Sequence, residues 1–429
     1  MQVFLKSFGC SANAADGEVL AGCLAQAGFQ LVGSEAEADV LIYNTCAVKA
    51  PTENRIINVL KRAPKGKKLI VVGCLPLISF DRLRREVRFD GAVGPSVGEE
   101  IVDVVSRVAA GERVVDLGGL NRKPKLDLPR IKSNPVVSVV PINYGCLGSC
   151  AYCCVVFARG RLRSYSIKEV AERVQSDVAD GAREVWVTSQ DTACYGRDLH
   201  SSLAELLQVL SGLSGDFKVR VGMMTPNMLT DMQDRLIDSF KSDKVFKFLH
   251  LPVQSGDDET LKCMRRFYTT AEFKGIVDSF RTQFPELTLA TDVIVGFPGE
   301  TAQAFEKTLK LLEEVKPDVT NVSKFFARPK TAAAQMQDGL VAQEDIKRRS
   351  TCAAELSKRI SLDRNLRWVG WVGEVLVDEK GKVEGSWVGR NFAYKPVAVK
   401  SPENLLGKTV RVKVVEASIT YLKGVIVEI

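Results

Sequence analysis

The sequence predicts an α/β chain in three consecutive parts: an N-terminal parallel α/β domain, a central partial (βα)6 barrel and a small C-terminal β-barrel. Three observations carry this prediction. Strand and helix patterns alternate over residues 1–110, and the alternation resumes with a longer period over residues 136–326. From about Trp368 it gives way to short β runs broken by glycines. The expected divisions are 1–110, a basic linker at 111–134, 135–365 and 366–429. A chain of 429 residues is long enough for two or three such cores.

In the first part, Val3-Phe4-Leu5 reads as a short buried strand. Residues 13–26 read as a helix, with Val19, Leu20, Cys23, Leu24 and Ala27 on one face. Val40-Leu41-Ile42-Tyr43 and Leu69-Ile70-Val71-Val72 are the second and third strands. Cys10, Cys46 and Cys74 each come shortly after one of these strands. The carboxyl ends of parallel strands share one rim, where ligand crevices form, so the three thiols should meet there. A lone cysteine at a strand end is usually a small buried hydrophobe. Three at equivalent positions suit a three-thiolate iron–sulfur cluster with one open iron. Cys23, on the apolar helix face, reads as core.

The linker carries Arg122, Lys123, Lys125, Arg130 and Lys132 among prolines and reads as extended. Its charges suit either RNA contact or plain solvation.

The central strands are expected at 136–142, 184–188, 217–221, 245–249, 289–295 and 319–325. Their carboxyl ends carry polar or glycine-rich stretches: Thr188-Ser189-Gln190-Asp191, Thr225-Pro226-Asn227, Pro252-Val253-Gln254-Ser255-Gly256, and Asp292 with Gly296-Phe297-Pro298-Gly299-Glu300. Side chains there can hold the parts of a nucleoside cofactor, or else serve as loop residues and helix caps. Arg265 and Arg266 offer a rigid fork of donors to a carboxylate. Helices are expected at 301–315 and 343–363, the second with Cys352, Leu356 and Ile360 as an apolar stripe. The C-terminal β runs fall at 375–377, 397–399, 410–414 and 425–427.

The loop after the first central strand, Cys146-Leu147-Gly148-Ser149-Cys150-Ala151-Tyr152-Cys153, holds the chemistry. Its C-x3-C-x2-C spacing supplies three thiolates to a cubane cluster and leaves one iron free to bind S-adenosylmethionine. A ferredoxin would bring a fourth cysteine at its own spacing, and structural zinc would want four ligands. Cys154 follows Cys153 directly, and adjacent residues rarely serve two corners of one cluster. With 11 cysteines and no charged-then-apolar leader, the thiols are expected to be reduced or metal-bound in a cytoplasmic protein. No apolar run is long enough for a membrane span. Two histidines make histidine-based zinc chemistry a poor fit, and a net charge of +7 allows a polyanionic partner without requiring one.

These motifs, in this order, resemble the radical-SAM methylthiotransferases over nearly the whole chain. The N-terminal matches are Phe8-Gly9-Cys10 with Asn13, Asp16 and Glu18, then Asn44-Thr45-Cys46 and Gly73-Cys74. The central ones are Cys146/Cys150/Cys153, Leu251-Pro252-Val253-Gln254-Ser255-Gly256 and the run from Thr291 to Thr301. Gly389-Arg390-Asn391 with Lys395 resembles the basic motif of a TRAM domain. Asn143-Tyr144-Gly145-Cys146, Ala158-Arg159-Gly160-Arg161, Thr188-Ser189-Gln190-Asp191-Thr192 and Gly73-Cys74-Leu75-Pro76-Leu77 are similar to the branch acting on threonylcarbamoyladenosine beside the tRNA anticodon, of archaeal and eukaryotic type. Tyr144 stands where the family often has Thr.

The resemblance implies two 4Fe-4S clusters. One, on Cys146, Cys150 and Cys153, would cleave S-adenosylmethionine to a deoxyadenosyl radical. The auxiliary one, on Cys10, Cys46 and Cys74, would carry the sulfur that is methylated and inserted. Tyr152, Ser189, Gln190, Asp191, Gln254, Ser255, Arg266, Asp292 and Gly296 are the expected S-adenosylmethionine contacts. Arg159, Arg161, Arg163, Arg390, Asn391 and Lys395 are the expected RNA contacts. The partners implied are tRNA and a flavodoxin- or ferredoxin-like electron donor, with no membrane and no DNA. The competing readings are action on isopentenyladenosine or on a ribosomal protein, another radical enzyme such as a methylase, and a non-catalytic RNA-binding protein that carries clusters.

Overall fold

The structure is a computed structural model that describes residues 1–118 and 122–428. Residues 119–121 of the expected linker and residue 429 of the expected C-terminal part lie outside the described residues.

The N-terminal sheet is parallel and six-stranded, in the order Gln30–Val32, Gln2–Ser7, Val40–Thr45, Lys68–Gly73, Gly91–Val93, Val114–Asp116. The three strands that precede Cys10, Cys46 and Cys74 are immediate neighbours, and their ends lie level, with Ser7 opposite Asn44 and Thr45 opposite Gly73. Val40–Thr45 is buried along its whole length, as a strand covered on both faces by helices must be. The last strand, Val114–Asp116, falls inside the stretch that reads as linker. Other linker charges are also built in rather than solvated. Arg130 pairs with the buried Asp177 and donates to the carbonyl of Val139 at 2.8 Å, and Lys123 sits over the Tyr165 ring.

The central part has six parallel strands in two ladders. Val137–Pro141, Glu184–Thr188 and Lys218–Val221 form one. Phe248–His250, Thr288–Val295 and Val319–Lys324 form the other, and a single bridge between Val219 and Val245 joins them into an open barrel. Its helices begin at signals legible in the sequence. Ser166, Ser202 and Thr269 each cap a helix and are each answered by a Glu three residues on. Leu356 and Ile360 of helix Gln343–Leu366 are buried as expected, but Cys352 is exposed and Ala353 takes the core-facing place.

The C-terminal strands close a five-stranded barrel, including Ser386–Arg390, which the sequence did not signal. Here the expected RNA contacts need correction. The Lys395 ammonium is buried and donates to Asp318 at 2.8 Å and Asn365 at 2.7 Å. Asn391 is fully buried and accepts the N–H groups of Ala393 and Lys395. Arg390 is largely buried against Asp378, at 2.9 Å. Lys395 docks this barrel onto the central one, while Asn391 shapes the turn between strands Ser386–Arg390 and Pro396–Lys400. A desolvated cation needs its anion, and Asp318 is already inside.

Tyr394, in the same turn, enters the base of the central barrel and donates to the buried Glu184 at 2.9 Å. Burial, reinforced by Asp378, pushes the Glu184 carboxyl up to about 7. Between the ordinary glutamate value of about 4.3 and this raised one, the folded protein holds a proton that the unfolded chain has lost, so stability falls as pH rises through that window. Glu184→Gln keeps an acceptor for Tyr394 and should flatten the fall in Tm between about pH 4 and pH 7, leaving the part that the other raised carboxyls, Asp378 and Glu300, contribute. An unchanged slope would remove Glu184 from this role.

Candidate active site between two cysteine sets

The rim of the N-terminal sheet faces the carboxyl ends of the central strands. Ser11 and Thr188 hydroxyls meet at 2.7 Å across the boundary, and Ser133 Oγ donates to Glu18 at 2.8 Å.

Two glycines let the first cysteine set converge. Gly9 has φ +115°, and a Cβ there would stand 2.5 Å from Cys46 Cβ. Gly73 has φ +100°, and its Cβ would fall 2.4 Å from the Thr45 carbonyl. Only glycine permits both the backbone angle and the approach. Asn13 clasps the loops by donating to the carbonyls of Phe8 at 3.1 Å and Thr45 at 3.0 Å. Asn44 returns a bond to the Asn13 carbonyl at 2.7 Å. Burial pushes Cys46 up and Cys74 up to about 12, and the Arg159 guanidinium opposes the shift in each. Thiols held this way stay neutral until a metal takes the proton's place.

Arg159 is the largest departure from expectation. It follows the second cysteine loop and was expected to face RNA, yet it is 2% exposed. Its Nη2 donates to Asp16 at 2.5 Å and to Asn13 at 2.9 Å, and its guanidinium lies 5.3 Å from the Tyr144 ring. The Tyr144 hydroxyl also donates to Asp16. The unusual Tyr144 is therefore half of a polar tie between the two halves of the site. Arg161 is exposed and stays available to phosphate, and the half-buried Arg163 donates to the Arg159 carbonyl at 2.8 Å.

The second set sits on the loop after Val137–Pro141. Gly145 has φ +74° against the Arg161 carbonyl, and its N–H donates to Gln190 Oε1 at 2.8 Å. The Gly148 N–H donates to Cys146 Sγ at 3.2 Å, and a Cβ on Gly148 would stand 3.7 Å from Cys150 Sγ, so these two thiols flank it. Arg266 Nη1 donates to Cys150 Sγ at 3.3 Å and is itself fixed by Tyr268 and the Pro252 carbonyl. Burial raises the Cys153 thiol. The neighbouring Cys194 thiol lowers that of Cys146, against burial. Cys194 itself is fully buried, with Cys194, Asp191 and Cys146 within 4.8 Å of one another. The sequence puts Cys194 in the 191–198 stretch at the expected barrel rim, as a pocket residue or, more simply, a bystander thiol, and gives no sign that it packs against Cys146.

One cavity of about 410 Å³ reaches both sets: Cys10 and Cys74 of the first and Cys153 of the second line it, together with Arg159, Ser189, Gln190, Arg220, His250 and Asp292. A second space of about 190 Å³ adjoins it, sharing Cys153 and Asp292 and adding Tyr152 and Gln254. Gln254 holds φ +70° and is paired on both sides through its backbone to Asp292 and Ile294. Burial raises the Asp292 carboxyl, but hydrogen bonds from His250 at 3.2 Å and Asn321 at 2.7 Å overcome it and hold it below the ordinary range.

Three expected cofactor residues do other work. Ser255 is fully buried, within 3.5 Å of Thr308 and accepting from the Asp257 N–H. Asp191 spends one carboxylate oxygen on the N–H groups of Ala193 and Thr225 and the other on the Cys194 thiol, which donates at 3.3 Å. Gly296 lies where a Cβ would meet Ile346 at 2.4 Å, and its N–H donates to Glu300, so it packs against a helix.

The chain matches the Radical SAM superfamily over residues 140–312, the Uncharacterized protein family UPF0004 over 2–94 and the TRAM domain over 367–427. It is 38% identical to a probable threonylcarbamoyladenosine tRNA methylthiotransferase of Pyrococcus horikoshii, over 100% of each chain. It is 40% identical to the protein of the same description from Methanothermobacter thermautotrophicus, over 98% of this chain and 99% of that one. Among solved structures, the radical S-adenosylmethionine methyltransferase TsrM of Kitasatospora setae, with cobalamin and a [4Fe-4S] cluster bound, shares the fold. The TM-score is 0.56 at 13% identity, covering 90% of this chain and 77% of that one.

Proposed function

The chain belongs to the threonylcarbamoyladenosine tRNA methylthiotransferases, and from that premise we propose that it converts threonylcarbamoyladenosine beside the tRNA anticodon to its 2-methylthio derivative. One observation carries the reading: cysteines of two three-cysteine sets, Cys10 and Cys74 of one and Cys153 of the other, line one cavity. A single set would serve radical generation alone.

The thiols fit the cofactors: each set gathers at one rim, with a cation, Arg159 or Arg266, donating toward it to balance thiolate charge. When bound, the cluster at Cys146, Cys150 and Cys153 supplies the electron for cleaving S-adenosylmethionine, and the cluster at Cys10, Cys46 and Cys74 supplies the sulfur. Arg266, expected at the carboxylate of S-adenosylmethionine, instead gives its three nitrogens to Cys150, Tyr268 and the Pro252 carbonyl and so braces the cluster loop, while Tyr152, Gln254 and Asp292 line the space proposed for S-adenosylmethionine. The ionised Asp292 suits ribose hydroxyls as an acceptor. The larger cavity takes the target base.

tRNA is the partner that the family implies. The exposed Arg161 is its proposed phosphate contact, and a flavodoxin- or ferredoxin-like protein the proposed electron donor. No helix among the described residues is long and apolar enough to cross a membrane, and a cytoplasmic site of action is proposed with that.

Nucleoside mass spectrometry tests the reading, on tRNA incubated anaerobically with reconstituted enzyme, reductant and S-adenosylmethionine. A methylthio group on threonylcarbamoyladenosine is the expected product. Methylthio on isopentenyladenosine would overturn the choice of substrate. An unchanged nucleoside pool, from protein that still cleaves S-adenosylmethionine, would move the substrate to a ribosomal protein.

A further inference from the structure

Four charged or titratable groups besides cysteines line the larger cavity, and three are spoken for. Arg159 pairs with Asp16, and His250 pairs with Asp292. Arg220 is the exception. Its guanidinium forms no ion pair and no hydrogen bond to a carboxylate, carbonyl or hydroxyl among the described residues, and its Nε is buried without a partner.

Three aromatic rings surround it instead. Its guanidinium carbon lies 5.2 Å from the Trp186 ring centre, 5.1 Å from Phe248 and 5.6 Å from Tyr394. Glu184, on the neighbouring strand, gives one oxygen to Trp186 and Tyr394 and forms no ion pair with Arg220. Ring faces stabilise the charge and hold the guanidinium in one orientation, but they satisfy none of its five N–H donors. A half-buried cation with an unused planar fork, on the wall of a substrate cavity, matches an oxyanion presented in the same plane.

We propose that Arg220 anchors the substrate by an oxyanion; the inference rests on the tRNA reading above. That substrate brings oxyanions of two kinds. Threonine joined through its amino nitrogen keeps a free carboxylate, and the nucleotide brings its phosphates. Each presents two oxygens to a guanidinium fork.

The test uses the full-length reconstituted enzyme with a transcript carrying the threonylcarbamoyl group as its only carboxylate, and the same transcript with that carboxylate converted to a methylamide. Wild-type enzyme is assayed first. If it fails to modify the acid form, the functional reading falls before Arg220 is tested. Arg220→Met preserves length and apolar contact with the rings. It should raise Kd and KM for the acid transcript about 10- to 100-fold, with a smaller effect on kcat, and Arg220→Lys should recover part of the loss. If Arg220 holds the carboxylate, amidation weakens the wild type by the same factor and leaves Arg220→Met unaffected. If it holds a phosphate, Arg220→Met loses the same factor on both transcripts. Wild-type affinity for both transcripts in Arg220→Met, with or without a lower Tm, would overturn the proposal and leave Arg220 a packing residue.

Discussion

Cys150→Ala should abolish S-adenosylmethionine cleavage, whereas Cys46→Ala should leave cleavage intact and remove sulfur transfer to tRNA. The split follows from where the two thiols sit. Cys150 receives the Arg266 bond beside the space proposed for S-adenosylmethionine. Cys46 is buried on the N-terminal rim against Gly9, away from that space, with the Arg159 guanidinium opposing the upward push of burial on its thiol. Neither loss is gradual, since a cubane cluster short of one thiolate is held by two and is readily lost. Each variant should lose about half of the iron and keep the other cluster's spectrum. Cys46→Ala retains the Cβ against which Gly9 packs, so the fold around it has no cause to shift. Deoxyadenosine release and methylthio nucleoside, assayed on the same reaction, separate the two steps. Identical behaviour of the two variants would mean that the two sets do not divide the labour.

Much of this site is legible in the sequence because its signals are local or periodic. A C-x3-C-x2-C loop needs only its own spacing, and hydrophobic alternation was enough to place Cys10, Cys46 and Cys74 behind three strands. The register then puts those strands side by side. The short edge strands Gln30–Val32 and Val114–Asp116 escaped because each offers only two apolar residues beside a polar one, too little to stand out from a loop. The charged residues misled for a different reason. A run such as Arg159-Gly160-Arg161 shows charge but not burial, and the partners that bury Arg159 come from far away: Asp16 lies 143 residues earlier in the chain. The same holds for Lys395, whose Asp318 lies 77 residues away. A buried charge is specified by its partner, and sequence proximity does not reveal the partner.

That distinction gives the second large effect. Arg159→Met removes the cation from a pocket that still holds Asp16, which is 5% exposed and accepts from Tyr144. Leaving one member of a buried pair uncompensated costs about 3–5 kcal/mol, so chemical unfolding of the cluster-free protein should shift by that much. Adding Asp16→Asn removes the orphaned charge and should recover part of the loss, giving a coupling that independent sites would not show. Salt supplies the contrast. Arg159 has no surface to offer a phosphate, so Arg159→Met should leave the salt dependence of tRNA binding by the folded protein unchanged. The exposed Arg161 should behave in the opposite way, with Arg161→Ala costing little stability and lowering the slope of log Kd against log salt by about 1. A stable Arg159→Met protein with a flattened salt response would return Arg159 to the RNA surface and dissolve the tie it is assigned between the two halves of the site.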